Sequence, residues 1–215
     1  MPNDLSLRCR CGRVRGVAAG ASAKTGNRIV CYCDDCQAFA HFLERDDVLD
    51  AQGGSDIFQV APASLRITEG ADQLRCVRLS PKGLYRWYTE CCRTPVGNTM
   101  PGVPFVGLVQ PIVDHASDGR TRDEALGQPV AFVHGRAAIG GCPPHAHARA
   151  SMGDVARLAP KILSWWLGGK GNPSPFFDAK TKAPKVTPRV LEAAEREGLR
   201  GGGGSSRASN ARASG

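Results

Sequence analysis

The chain has 215 residues, enough for one sizeable domain with its own core, and 41% of them are hydrophobic, as in ordinary globular proteins. With 28 Lys and Arg against 20 Asp and Glu the formal charge is +8, yet the basic residues are scattered without a five-residue block, which argues against a dedicated nucleic-acid face. The opening MPNDLSLRCR has no apolar stretch of signal-peptide length, and no run approaches the roughly 20 apolar residues of a membrane span, so a cytoplasmic location is expected.

The 26 Gly and 15 Pro point to many turns and short strands, hence a mainly β fold. From Arg8 to Val17 the pattern CRCGRVRGV predicts a tight hairpin carrying Cys9 and Cys11. Asn27 to Tyr32 reads as a strand, and after Cys36 the spacing of Phe39, Phe42 and Leu43 predicts a short helix. Beyond Gly53-Gly54 the extended segments DIFQV, SLRIT, LRCVRL, GLYRWYT, VPFVGLVQPIV and PVAFVHGRAAI form a sheet-building region. Asp154 to Leu167 places Val155, Leu158, Ile162 and Trp166 near helical spacing, with Pro160 expected to kink or interrupt it. A last helix is predicted from Thr187 as N-cap and Pro188 as first helical residue to Glu197, with Gly198 as its left-handed terminus. Residues 201–215, GGGGSSRASNARASG, hold nothing apolar larger than Ala and are expected to be a disordered tail after a single domain of residues 1–200.

The nine cysteines are an odd number, and most cluster at gaps of zero to two residues, unlike a disulfide framework. Closely spaced thiols in a reducing compartment suit a soft metal, with zinc the default. Alternate strand residues share a face, so Cys9 and Cys11 can present both sulfurs to one ion. The two further ligands of a tetrahedral site are sought at Cys91-Cys92, of which one ligates unless the backbone turns sharply there. Cys31-x-Cys33-x-x-Cys36 offers three thiolates with a fourth position open, a catalytic arrangement, unless a residue such as His41 closes it into a structural site.

Other residues have weaker claims. His145-x-His147 lies in a Pro/Gly-rich segment, His115 and His134 read as ordinary sheet or loop residues, and Cys76 and Cys142 read as inert small hydrophobes. Trp165-Trp166 and Phe176-Phe177 are expected in the core. Arg78, Lys82, Arg86 and Arg93, in or near the strand leading to Cys91, either pair with an anionic ligand or form a solvated face.

The order CxCG, then CYCxxCQ, then Cys-x-Thr-Pro, together with DDCQAFAH, GGSDIFQ, SPKGLYRWY, CCRTPVGNT and PFFD, resembles the glutathione-dependent formaldehyde-activating enzyme and centromere protein V family, in particular a bacterial branch of it. The resemblance runs from about Leu7 to Leu191. It implies coiled antiparallel sheets, a β-tent, around two zinc ions: a structural site begun by Cys9 and Cys11, and a catalytic site of Cys31, Cys33 and Cys36. That family completes the structural site with Cys-x-x-Cys-Gly before Thr-Pro. Here Cys92 matches the second cysteine, the first falls on Thr89, and Arg93 replaces the glycine, so Cys91 is the expected substitute. The implied activity is of the carbon-sulfur lyase type, adding a thiol to an aldehyde, with glutathione and formaldehyde as the family's pair. The competing expectation is a non-enzymatic zinc module that binds a protein or nucleic acid, in keeping with the +8 charge.

Overall fold

The structure is a computed structural model that describes residues 4–201; from residue 202 the expected tail lies outside the described residues. Strands β1 (Leu5–Arg8) and β2 (Arg15–Ala18) form a hairpin, followed by β3 (Asn27–Cys31) and helix α1 (Asp34–Phe42). Next come β4 (Ser55–Val60), β5 (Leu65–Glu69), β6 (Leu74–Arg78), β7 (Tyr85–Thr89), β8 (Pro95–Thr99) and β9 (Val106–Val109). Two short helices, α2 (His115–Asp118) and α3 (Arg122–Leu126), lead to β10 (Ala131–Val133), α4 (Met152–Leu167), β11 (Arg189–Val190) and α5 (Ala193–Gly201). The chain is mainly β, with a three-stranded sheet ordered β1-β2-β5 and an eight-stranded sheet ordered β10-β3-β4-β9-β8-β7-β6-β11. Neighbours are antiparallel except at the two edges of the large sheet, where β10 joins β3 and β11 joins β6 in parallel. Among the described residues no helix is long and apolar enough to cross a membrane.

The period-two alternation of the strands sorts side chains to the two faces of the large sheet. On one face Phe58, Leu108, Trp87 and Cys76 join Leu5, Leu7, Ala18 and Leu65 of the small sheet in the main core. Phe176 stacks on Trp87 with ring centroids 4.6 Å apart. On the other face Ile29, Cys31 and Ile57 meet Ala131, Val133, Cys36 and Leu158, while Val77 meets Ala38, Phe39, Leu43 and Leu191. Helices α1 and α4 therefore lie on the face opposite the small sheet.

Several sequence expectations change. Cys9 and Cys11 lie in the turn that follows β1, not on a strand, because Gly12 at φ 80° reverses the chain and its N–H bonds to the Cys9 carbonyl at 2.8 Å. Strand β8, PVGNT, escapes propensity reasoning because of its Pro, Gly and Asn, yet all five of its residues are buried. Of PVAFVHGRAAI only Ala131–Val133 is strand, since His134 takes a left-handed φ of 60°. Helix α4 runs unbroken through Pro160, and starts at a Ser151–Asp154 capping box instead of at Asp154.

The expected helix start at Thr187 and Pro188 is also corrected. Arg189 and Val190 pair instead with Val77 and Arg78 on the open edge of β6, and Leu191 is buried against α1. Tertiary packing there outweighs the local cap signal. Gly198 lies inside α5, not at its terminus.

This difference in caps is testable. Ser151→Ala removes a hydroxyl that accepts from the Asp154 N–H and should cost about 1 kcal/mol, whereas Thr187→Ala, at an exposed position outside any helix, should stay within about 0.5 kcal/mol of the parent in urea unfolding.

Candidate metal centres

The four-sulfur group forms where two hairpin tips meet. Cys9 and Cys11 come from the β1–β2 turn, Cys91 and Cys92 from the β7–β8 turn, and their four sulfurs lie within 4.8 Å of one another. Individual separations are 3.6 Å for Cys9–Cys11, 3.9 Å for Cys9–Cys91, 3.4 Å for Cys11–Cys91 and 3.8 Å for Cys91–Cys92. Four sulfurs placed about 2.3 Å from one centre at the corners of a tetrahedron are about 3.8 Å apart, so the donor set fits a single tetrahedral ion.

Both adjacent cysteines point inward because the backbone does turn sharply after them. Arg93 has φ 52°, and its N–H returns to the Thr89 carbonyl at 2.9 Å. This left-handed position explains why a glycine would suit it. Here the arginine is tied to Glu44 at 2.7 Å. Thr89 contributes its hydroxyl, which accepts from the Thr94 N–H at 3.1 Å and lies 3.4 Å from the Cys92 sulfur. The Val14 N–H donates to the Cys9 sulfur at 3.2 Å, and the Arg10 N–H donates to the Thr94 hydroxyl at 3.1 Å, which stitches the two tips together.

Burial pushes the Cys91 thiol up to about 12 and raises that of Cys9. Burial opposes ionisation of Cys92 as well, but the Thr89 and Thr94 hydroxyls and the Cys11 N–H bring it down to about 5.

The three-sulfur group sits on the opposite face of the large sheet. Cys31 ends β3, Cys33 is the N-cap of α1, and Cys36 lies in the first turn of that helix; their sulfurs also lie within 4.8 Å of one another. The helix starts because the Cys33 carbonyl accepts from the N–H groups of Cys36 at 2.9 Å and Gln37 at 3.2 Å. The positive end of its dipole faces the thiols and favours thiolates there. Gln37 fixes the loop by donating to the Tyr32 and Ala137 carbonyls, both at 2.8 Å.

Arg86 of β7 is 2% exposed and aims Nη1 at the Cys36 sulfur, 3.9 Å away, and at Asn98 Oδ1, 3.3 Å away. Its guanidinium also lies over the Phe39 ring. The thiols of Cys31 and Cys33, aided by Arg86, hold Cys36 well below its ordinary value against the effect of burial. Contacts with Cys33 and Cys36 raise Cys31 well above it, and although Cys31 pulls Cys33 down, Cys36 and burial outweigh this and bring Cys33 up to about 11.

The remaining candidates separate clearly. His41 does not reach the three-sulfur group: its Nδ1 lies 2.6 Å from the Leu199 carbonyl of α5 and its Nε2 3.6 Å from Asp46. His147 pairs with Asp154 at 2.8 Å, His145 packs edge-on against Phe132, and neither belongs to a cluster of metal donors. Burial pushes the Cys76 thiol up to about 12, in keeping with an inert residue, whereas Cys142 is exposed, not buried. Trp165 and Phe176 are buried as expected, but Phe177 is half-buried and Trp166 is 63% exposed, and both line a cleft of about 390 Å³ with Met100 and Lys182 that no cysteine lines. Of the four basic residues, Arg93 pairs with Glu44 and Arg78 lies over Tyr85. Arg86 directs its guanidinium at a cysteine sulfur, that of Cys36. The Thr89, Thr94 and Asn98 side chains are the partners that sequence reasoning missed; isolated hydroxyls and amides carry no spacing signal.

Fold and site together define a mainly β protein with two cysteine groups, each able to hold a metal ion. The chain belongs to a family of unknown function, DUF6151, whose profile it matches over residues 1–186, a span that includes all seven clustered cysteines. No curated protein matches it.

The geometry predicts two tightly held ions per chain. Native mass spectrometry should keep that count in Cys76→Ser and Cys142→Ser and lower it to one in a Cys91→Ser/Cys92→Ser double variant; a single ion in the parent would contradict the assignment of two sites.

Proposed function

We propose that both ions are zinc, that Cys9, Cys11, Cys91 and Cys92 hold a structural one, and that Cys31, Cys33 and Cys36 hold a catalytic one. On this reading the protein is an enzyme of the carbon-sulfur lyase type, working on a thiol and an aldehyde in the manner of the glutathione-dependent formaldehyde-activating enzyme and centromere protein V family. The observation that carries the reading is the incomplete donor set: among the described residues no fourth Cys, His, Asp or Glu joins the three sulfurs. Zinc in such a site supplies a Lewis acid and a position at which an incoming thiol ionises. The chain's own residues prepare that position. Ile29, Ile57, Ala131 and Val133 wall it with apolar surface and strengthen local electrostatics, while Arg86 offsets thiolate charge. The overall addition conserves atoms, since the thiol sulfur bonds to the aldehyde carbon and the thiol proton ends on the former carbonyl oxygen.

Two measurements test this division of labour. Cys11→Ser should lower the melting temperature far more than Cys33→Ser, because a structural ion adds its binding energy to folding. Equal losses would make both sites structural. Glutathione, titrated into the zinc-loaded protein, should add a fourth sulfur at about 2.3 Å in zinc-edge absorption and release a proton, and Cys33→Ser should abolish the response. Absence of any response to thiols would replace the enzyme reading with that of a non-enzymatic zinc module binding protein or nucleic acid.

A further inference from the structure

Arg86 and Asn98 face each other across β7 and β8 on the side of the sheet that carries the three-sulfur group. They are 2% and 3% exposed. Only Nη1 of the guanidinium finds partners, Asn98 Oδ1 and the Cys36 sulfur; among the described residues Nε and Nη2 of Arg86 and Nδ2 of Asn98 donate to no protein atom. These three nitrogens are not among the fully enclosed unpaired polar atoms, so an incoming group can reach them, and a guanidinium presents its N–H donors in a fixed fork. What is unmatched here is exclusively N–H, so its complement is an oxygen acceptor and not a cation. The fork also lies 3.9 Å from a sulfur of the proposed catalytic site, which fixes the acceptor close to whatever that site holds.

We infer that Arg86 and Asn98 form an acceptor subsite of the three-cysteine site, and that its ligands are thiols bearing a carbonyl or carboxylate oxygen three or four bonds from the sulfur. This rests on the proposed open position at Cys31, Cys33 and Cys36. A role for Arg86 in charge compensation alone would require no particular chemistry in the ligand. The subsite, by contrast, discriminates among thiols of equal size: acceptor-bearing ones gain two or more charge-assisted or neutral hydrogen bonds, and a thiol ending in an ammonium group meets only donors and a like charge.

The experiment uses the full chain loaded with cobalt(II), whose sulfur-to-metal charge-transfer absorbance reports each added thiol. Mercaptoacetate, mercaptoacetamide and cysteamine are titrated into the parent, Asn98→Asp and Arg86→Lys. Asn98→Asp keeps the shape and the acceptor that Arg86 uses but replaces the Nδ2 donor with an oxygen, so it preserves the fold even if Arg86→Lys does not. Each thiol is compared between parent and variant, which cancels differences in thiol acidity. The acceptor-bearing thiols should lose about tenfold in affinity in each variant relative to cysteamine, with the absorbance of the thiol-free metal unchanged. Similar parent affinities for mercaptoacetamide and mercaptoacetate would support a neutral carbonyl as the natural acceptor, and a preference for mercaptoacetate would support a carboxylate. If the affinity ratios are the same in the parent and both variants, the subsite is overturned while the open position stands. If no thiol alters the parent spectrum, the open position fails and the subsite with it.

Discussion

Four sulfurs drawn from two hairpin tips converge in a clasp where the small sheet meets the large one, so whatever holds them constrains both sheets at once. Cys9 and Cys91 are separated by 82 positions along the chain yet their sulfurs are 3.9 Å apart. Closing a loop of that length has an entropic cost that no single pair of thiols offsets, and an ion bound by all four would make metal affinity part of folding stability. The hydrogen bonds around the clasp run between the two tips and within each, from Arg10 to Thr94 and from Val14 to Cys9, so the backbone is shaped for the sulfurs before any ion is considered.

Strand β7 links this clasp to the second cysteine group. Within seven consecutive residues Arg86 turns to the three-sulfur face, Trp87 fills the main core and Cys91 and Cys92 close the clasp. The register shift against β8 falls between Trp87 and Tyr88, a bulge of the kind that re-aims side chains next to functional sites. Loss of order at the clasp would therefore be felt by the guanidinium beside Cys36, although the two groups lie on opposite sides of the sheet.

The cysteines were the most legible part of the site, because thiolates within a few positions of each other can converge without help from distant chain. All seven clustered sulfurs fall into the two groups that spacing suggests. Their exact mode of presentation was less legible. Strand alternation placed Cys9 and Cys11 on a β-strand, whereas a glycine-driven turn presents them, and only the left-handed Arg93 reveals why Cys91 and Cys92 act together. Strands rich in β-branched and aromatic residues, such as those around Ile57 and Trp87, were visible from composition. PVGNT was not, since its place in the sheet comes from neighbours on both sides and not from its own propensity. The segment after Thr187 failed for the same reason: an unpaired edge of β6 and a pocket for Leu191 are facts of tertiary structure that no cap signal contains.

The two parallel edge strands bear on how such a wide sheet coexists with its neighbours in a crowded solution. An eight-stranded sheet ending in long bare strands would be a template for another copy to add to. Here the last strand at one side has three residues and at the other two, so each border offers too little free backbone for a lasting intermolecular ladder. Helix α4 is the next α-helix after one border strand and α5 after the other. The margins of the wide sheet thus leave little backbone on which a further strand could build.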